Sequence, residues 1–161
     1  MSIAVGDRIP DVQVAISGDD GMPKQAQTGE LLGRGRVVVF AVPGAFTPGC
    51  SNYHLPGFVT LAEQLQEKGV DTIACIAVND AFVMHAWAQD QKVGDSVLMI
   101  GDGNGDFARS VGLEFDGSGF GLGLRSQRYA AILQDGVVEQ LFVESGPGVD
   151  VSGADKVLEH L

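Results

Sequence analysis

The stretch Arg36-Val-Val-Val-Phe-Ala-Val-Pro-Gly-Ala-Phe-Thr-Pro-Gly-Cys50 decides the fold. Val37 to Val42 is an unbroken apolar run rich in β-branched residues, the pattern of a strand covered on both faces in the middle of a sheet. Pro43 ends it, because a residue without an N–H cannot continue a ladder. Thr47 followed by Pro48 has the form of a helix N-cap with proline in the first turn, where the missing N–H costs nothing. Cys50 is thereby expected in the first turn of a helix, at the carboxyl end of a central strand, where open α/β sheets place their chemistry. A helix start offers unpaired N–H groups and a partial positive charge, and both favour a thiolate over a thiol. The Thr47 hydroxyl, three residues earlier, lies within reach of the sulfur. The plainer alternative is that Cys50 is a small buried apolar residue.

Composition bounds the rest. A chain of 161 residues is expected to form a single domain, 1–161, with a core that needs no disulfide or metal staple. The formal charge of −11 argues against nucleic acid, which requires a basic surface. No apolar run is long enough to span a membrane, and the opening Met-Ser-Ile-Ala-Val-Gly-Asp lacks the charged and hydrophobic segments of an export signal. Two cysteines, 50 and 75, with no CxxC spacing, suit a reduced, cytoplasmic protein.

Along the chain, Asp11–Ile16 is expected as a strand, Ser17–Pro23 as a polar turn and Thr28–Leu32 as a short helix. The helix from Pro48 should kink near Leu55, ahead of Pro56, and end at Gly69. Asp71–Val78 is a second strand. Asn79-Asp80 caps a helix to Gln91 with Phe82, Val83, Ala86 and Trp87 as its apolar face. Ser96–Ile100 is a third strand. Gly101-Asp-Gly-Asn-Gly-Asp106 starts like a calcium loop but lacks the later glycine and glutamate, so a turn capping a short helix at 106–111 is expected instead. The glycine-rich 116–123 stretch leads into no helix and is not a phosphate cradle. Arg128–Leu133 and Val137–Val143 flank Gln134-Asp135-Gly136, a hairpin signal, and a last helix capped at Ser152 runs to His160. This order of elements fits a thioredoxin-like α/β fold, with a central mixed β-sheet covered by helices on both faces.

Pro43-Gly-Ala-Phe-Thr47-Pro-Gly-Cys50 resembles the PxxxTxxC active-site motif of peroxiredoxins. With His54-Leu-Pro-Gly-Phe58, Val78-Asn-Asp-Ala-Phe-Val-Met-His-Ala-Trp87 and Arg125-Ser-Gln-Arg-Tyr-Ala130, it is similar to their type II (peroxiredoxin-5-like) branch over nearly the whole chain. The resemblance implies a thiol-dependent peroxidase acting on hydrogen peroxide and alkyl hydroperoxides. Cys50 would be the peroxidatic nucleophile that becomes a sulfenic acid. Thr47 would hold thiolate and peroxide, Arg128 would supply a fixed positive charge, and Pro43 would shield the sulfur from water. Because the O–O bond is weak, aligning it and stabilising the departing oxyanion suffices, and no cofactor or metal is required.

Each supporting residue also has a plainer reading. Arg128 could face solvent and pair with an acidic residue. Arg125 is expected to brace a loop. His54, one turn after Cys50, is expected as a satisfied helix histidine, though it could orient the site or act as a base. His85 and His160 lack ligand-spaced partners. Cys75, inside Thr72-Ile-Ala-Cys-Ile-Ala-Val78, is expected to be buried and inert. Many type II relatives carry a resolving cysteine nearer the C-terminus, but none follows Val143 here. This departure implies a one-cysteine mechanism regenerated by an external thiol, glutathione with glutaredoxin or thioredoxin. The resemblance further suggests a homodimer to which the loop of Phe120, Leu122 and Leu124 contributes. A thiol-based redox sensor or binding module is the alternative of another class, in which peroxidase turnover is incidental.

Overall fold

The computed structural model describes residues 2–161. The run that opens the argument is a seven-residue strand, β3 (Arg36–Val42), buried from Val37 onward. Before it lie β1 (Gln13–Ser17), β2 (Pro23–Gln27) and the short helix α1 (Thr28–Leu31). After it a helical segment leads into α2 (Leu55–Glu67), followed by β4 (Thr72–Ala77), α3 (Ala81–Asp90), β5 (Leu98–Gly101) and α4 (Asp106–Ser110). Two three-residue strands, β6 (Glu114–Asp116) and β7 (Leu124–Ser126), pair with each other across the glycine-rich stretch. The chain ends with β8 (Tyr129–Gln134), β9 (Val137–Val143) and α5 (Ala154–Glu159).

The main sheet has the order β2-β1-β5-β4-β3-β8-β9. β3 runs parallel to β4 and β4 to β5, while β8 lies antiparallel against β3, so the sheet is mixed. Residues of β3 alternate between two cores, as a period of two requires. Val38, Phe40 and Val42 pack with α2, α3 and α5, and Val37, Val39 and Ala41 pack with Phe107 and Val111 on the other face. This is the expected thioredoxin-like layering.

Several local expectations need correction. The polar turn before Pro23 is followed by an unexpected strand, β2, whose Pro-Lys-Gln-Ala-Gln sequence carries no hydrophobic alternation because it lies at the sheet edge. On α3 the buried residues are Ala81, Met84 and Trp87, while Phe82 is exposed, so the helix presents a face rotated from the expected one. The cap at Asp80 is as expected, its carboxylate accepting from Val83 N–H at 2.8 Å. Ser152 does not cap the last helix; Gly153 occupies that position. Asp135 and Gly136 have φ of 50° and 83°, the left-handed pair that a tight two-residue hairpin needs. Asp102 caps α4 by accepting from the amides of Phe107 and Ala108, so the resemblance to a calcium loop is a helix start.

One polar side chain sits inside the first core. His54 is fully buried, with its ring centroid 4.9 Å from that of Phe40 and 5.6 Å from that of Phe58. Burial first, then the Arg128 guanidinium 2.9 Å from Nδ1, lower its pKa from the ordinary 6.5 to about 3. Below pH 6.5 an unfolded chain takes up a proton at this residue that the folded chain refuses. Stability should therefore fall as pH drops from about 6.5 towards about 3, by up to about 1.4 kcal/mol per pH unit from this group alone. Urea unfolding at pH 7 and pH 5 should show wild type losing more stability than His54→Asn, and equal losses would contradict the assignment.

Candidate active site

The segment after β3 is fastened at several points before it reaches the sulfur. The Arg125 guanidinium donates from Nη1 to the Pro43 carbonyl at 3.2 Å and from Nε to the Leu122 carbonyl at 3.0 Å, the loop-bracing role expected of it. Ala45 N–H donates to Asn79 Oδ1 at 2.9 Å, tying the segment to the turn after β4. Phe46 has φ of 66°, a conformation that a bulky residue adopts only when its surroundings impose it. Its exposed ring lies 6.5 Å from the buried Trp87, whose indole N–H donates to Ser51 Oγ at 3.0 Å.

The helix begins at Thr47, whose carbonyl accepts from Ser51 N–H at 2.9 Å. Pro48, Gly49 and Cys50 therefore form its first turn, and the amides of Gly49 and Cys50 precede its internal hydrogen bonding. The Thr47 hydroxyl contacts the sulfur of Cys50 at 2.9 Å and the Gly44 carbonyl at 2.7 Å. It has a single proton, so it can donate to the carbonyl or to the sulfur, and a charged sulfur is the stronger acceptor. From Cys50 to His54 the helix takes a π turn, passing into α2 at Leu55, the position of the expected kink.

Arg128, the expected first residue of the strand, lies immediately before β8, which begins one residue later at Tyr129, and it turns inward at 7% exposure. The solvent-facing reading of this residue is thereby excluded. Nη2 is 3.3 Å from Cys50 Sγ and Nη1 is 2.9 Å from His54 Nδ1. Nε is a buried side-chain donor without a partner among the described residues. A Cβ on residue 49 would come within 2.9 Å of Nη2, so glycine at this position lets the guanidinium approach the helix start. Cys50 is 0% exposed.

The other sequence candidates separate clearly. Pro43 sits half-buried between β3 and the loop. Cys75 is buried in β4 opposite Phe40, and burial first, then the nearby Cys50, push its thiol well up from the ordinary range. His85 contacts Ser17 Oγ at 3.1 Å and His160 the Lys156 carbonyl at 2.8 Å, both away from the sulfur. The part of the site that residue reasoning left undecided is His54. Its spacing from Cys50 placed it on the right face, but its partners, Arg128 and the Ser152 carbonyl, are 74 and 98 residues away.

The redoxin family model matches residues 4–158. The chain is 45% identical to peroxiredoxin-2E, chloroplastic, of Arabidopsis thaliana, over 99% of this chain and 70% of that protein. It is 48% identical to peroxiredoxin-2E-2, chloroplastic, of Oryza sativa subsp. japonica, over 99% and 73%. Among solved structures it superimposes on reduced Prx3 in complex with H2O2 from Vibrio vulnificus with a TM-score of 0.93 and 47% identity, covering 98% of each chain. The two plant relatives overturn the cytoplasmic location expected above. That expectation rested on unpaired cysteines, which speak of a reducing environment and not of a compartment. With the family model spanning nearly all of it and relatives of this identity, the chain belongs to the redoxin family and within it to the type II peroxiredoxins, which makes it a thiol-dependent peroxidase.

Proposed function

We propose that Cys50 is the peroxidatic cysteine and that the enzyme works by a one-cysteine cycle. The observation that carries this is the convergence of the Thr47 hydroxyl (2.9 Å) and the Arg128 guanidinium (3.3 Å) on one sulfur at a helix start. The thiolate attacks the distal oxygen of a hydroperoxide and the O–O bond breaks. The departing alkoxide or hydroxide takes a proton to leave as alcohol or water, and the sulfur is left as sulfenic acid. Arg128 stabilises the charge that moves onto the leaving oxygen. Nε–H and an Nη2–H project from the same edge of a guanidinium. An oxygen beside Sγ can therefore accept from Nε, the donor that has no partner among the described residues. Thr47 aligns sulfur and substrate, and Pro43 screens the sulfur from water. The H2O2 complex of the Vibrio vulnificus relative supports a small hydroperoxide as substrate.

Regeneration falls to an external thiol. Cys75 is held in the central sheet as a raised-pKa thiol, and no cysteine follows Val143. The reductant thiol attacks the sulfenic sulfur to give a mixed disulfide and water, and a second thiol releases Cys50. Glutathione with glutaredoxin, or thioredoxin, fits this scheme. Because Cys50 is sealed in the protein, the 50–54 turn must open for the attacking sulfur to reach it. We further propose a homodimer, with Phe46, Phe82 and Phe120, exposed at 53%, 55% and 80%, as its apolar contacts.

Cys50→Ser should abolish peroxide consumption with either reductant, and Cys75→Ser should sustain turnover at the wild-type rate. Arg128→Gln should lower kcat/KM for peroxide by about 10²- to 10³-fold. Loss of turnover in Cys75→Ser would refute the one-cysteine cycle. Sedimentation velocity should give a dimer mass for wild type and a monomer mass for Phe120→Asp, and a wild-type monomer would refute the dimer.

A further inference from the structure

We infer that His54, pinned between the Ser152 carbonyl and the Arg128 guanidinium and braced through Ser152 by Glu144, is a positioning residue that aims Arg128 at Cys50. The inference rests on the reading of Cys50 as the reacting sulfur.

The ring has no freedom to serve otherwise. Phe40 and Phe58, stacked on each other at 4.0 Å, both lie against it, so only its two nitrogens reach polar groups. A carbonyl can only accept, so Nε2 carries the proton donated to Ser152 O at 2.9 Å. A guanidinium can only donate, so Nδ1 presents the lone pair that accepts from Arg128 Nη1 at 2.9 Å. One tautomer satisfies both bonds, and it leaves no free lone pair with which His54 could act as a base. A guanidinium is planar, with its donors in a fixed fork. Holding Nη1 therefore fixes where Nη2 points, which is 3.3 Å from Sγ.

The other end of the ring is anchored with equal care. Glu144 Oε2 accepts from Ser152 Oγ at 2.6 Å and from the amides of Ser152 and Asp150, each at 2.8 Å. Burial raises the Glu144 pKa, but these hydrogen bonds outweigh it and hold the carboxyl below its ordinary value. Glu144 N–H in turn donates to the Arg128 carbonyl at 3.0 Å. The path from the Arg128 side chain through His54, Ser152 and Glu144 thus closes on the Arg128 backbone. The 144–152 loop, far from the cysteine in sequence, becomes part of the frame that sets the reaction geometry.

The test compares steady-state kinetics of wild type, His54→Leu, His54→Asn, Glu144→Gln and Cys50→Ser with H2O2 and a saturating thiol reductant. A displacement of about 1 Å can cost about 10²-fold in rate, so His54→Leu should lower kcat/KM for peroxide by about ten- to a hundredfold. Its kcat, set by the thiol step, should stay within about twofold of wild type. His54→Asn keeps a side-chain acceptor near the Nδ1 position and should recover most of the loss, which a purely structural role would not allow. Glu144→Gln should show a smaller loss in the same parameter, and it carries the test with His54→Asn if His54→Leu does not fold. Wild-type kcat/KM in His54→Leu, or in Glu144→Gln where the leucine variant is unfolded, would overturn the inference. So would an asparagine variant as impaired as the leucine one. Turnover in Cys50→Ser would instead overturn the assignment of the reacting sulfur.

Discussion

A guanidinium at 7% exposure, with one edge against a sulfur, is the constraint on which the site depends. Arginine does not shed its proton in proteins, so a buried one must be compensated where it sits. Among the described residues no carboxylate forms an ion pair with it. Nη1 faces a histidine lone pair, Nη2 faces Cys50, and Nε has no partner among the described residues. Such a cation is stabilised most by a negative charge on the sulfur and by an oxygen carrying developing charge beside it. The same burial that makes the cation costly makes its field strong, because little water screens it.

Holding that cation in place takes most of the fold. The arginine arrives at the head of β8, which lies antiparallel against β3 in the register Ala41 to Tyr129, so the arginine and the carboxyl end of β3 meet at one edge of the molecule. The cysteine arrives from β3 through a loop clamped by Arg125 and Asn79 and bent at Phe46. A π turn then spans the five residues from Cys50 to His54, so the sulfur and the imidazole both meet the guanidinium. Glycine 49 removes the one Cβ that would block the approach.

What could be read from residues alone follows the range of the interactions. The buried strand Val37–Val42, the Asp80 cap, the Asp135-Gly136 turn and the Thr47–Cys50 contact are local, and the chain's own spacing specifies them. Arg128 was placed only through the motif resemblance, since 78 residues separate it from the sulfur it meets. β2 escaped because an edge strand needs no apolar alternation, and the face of α3 because tertiary packing chose Met84 over Phe82. The role of His54 was illegible for a further reason. Its neighbours on the helix say where its face points, but the Ser152 carbonyl and the Glu144 carboxylate that anchor it belong to a loop after β9. No pattern near residue 54 announces that loop. A hint lay in the carboxylate that follows β9 directly, with Ser152 eight residues on.

The most direct test is to oxidise the reduced protein with one equivalent of H2O2 in the presence of a dione that traps sulfenic acids, then locate the adduct by mass spectrometry. The account predicts one adduct, on Cys50, with Cys75 recovered as a free thiol. A disulfide joining Cys50 to Cys75, or an adduct on Cys75 alone, would contradict it.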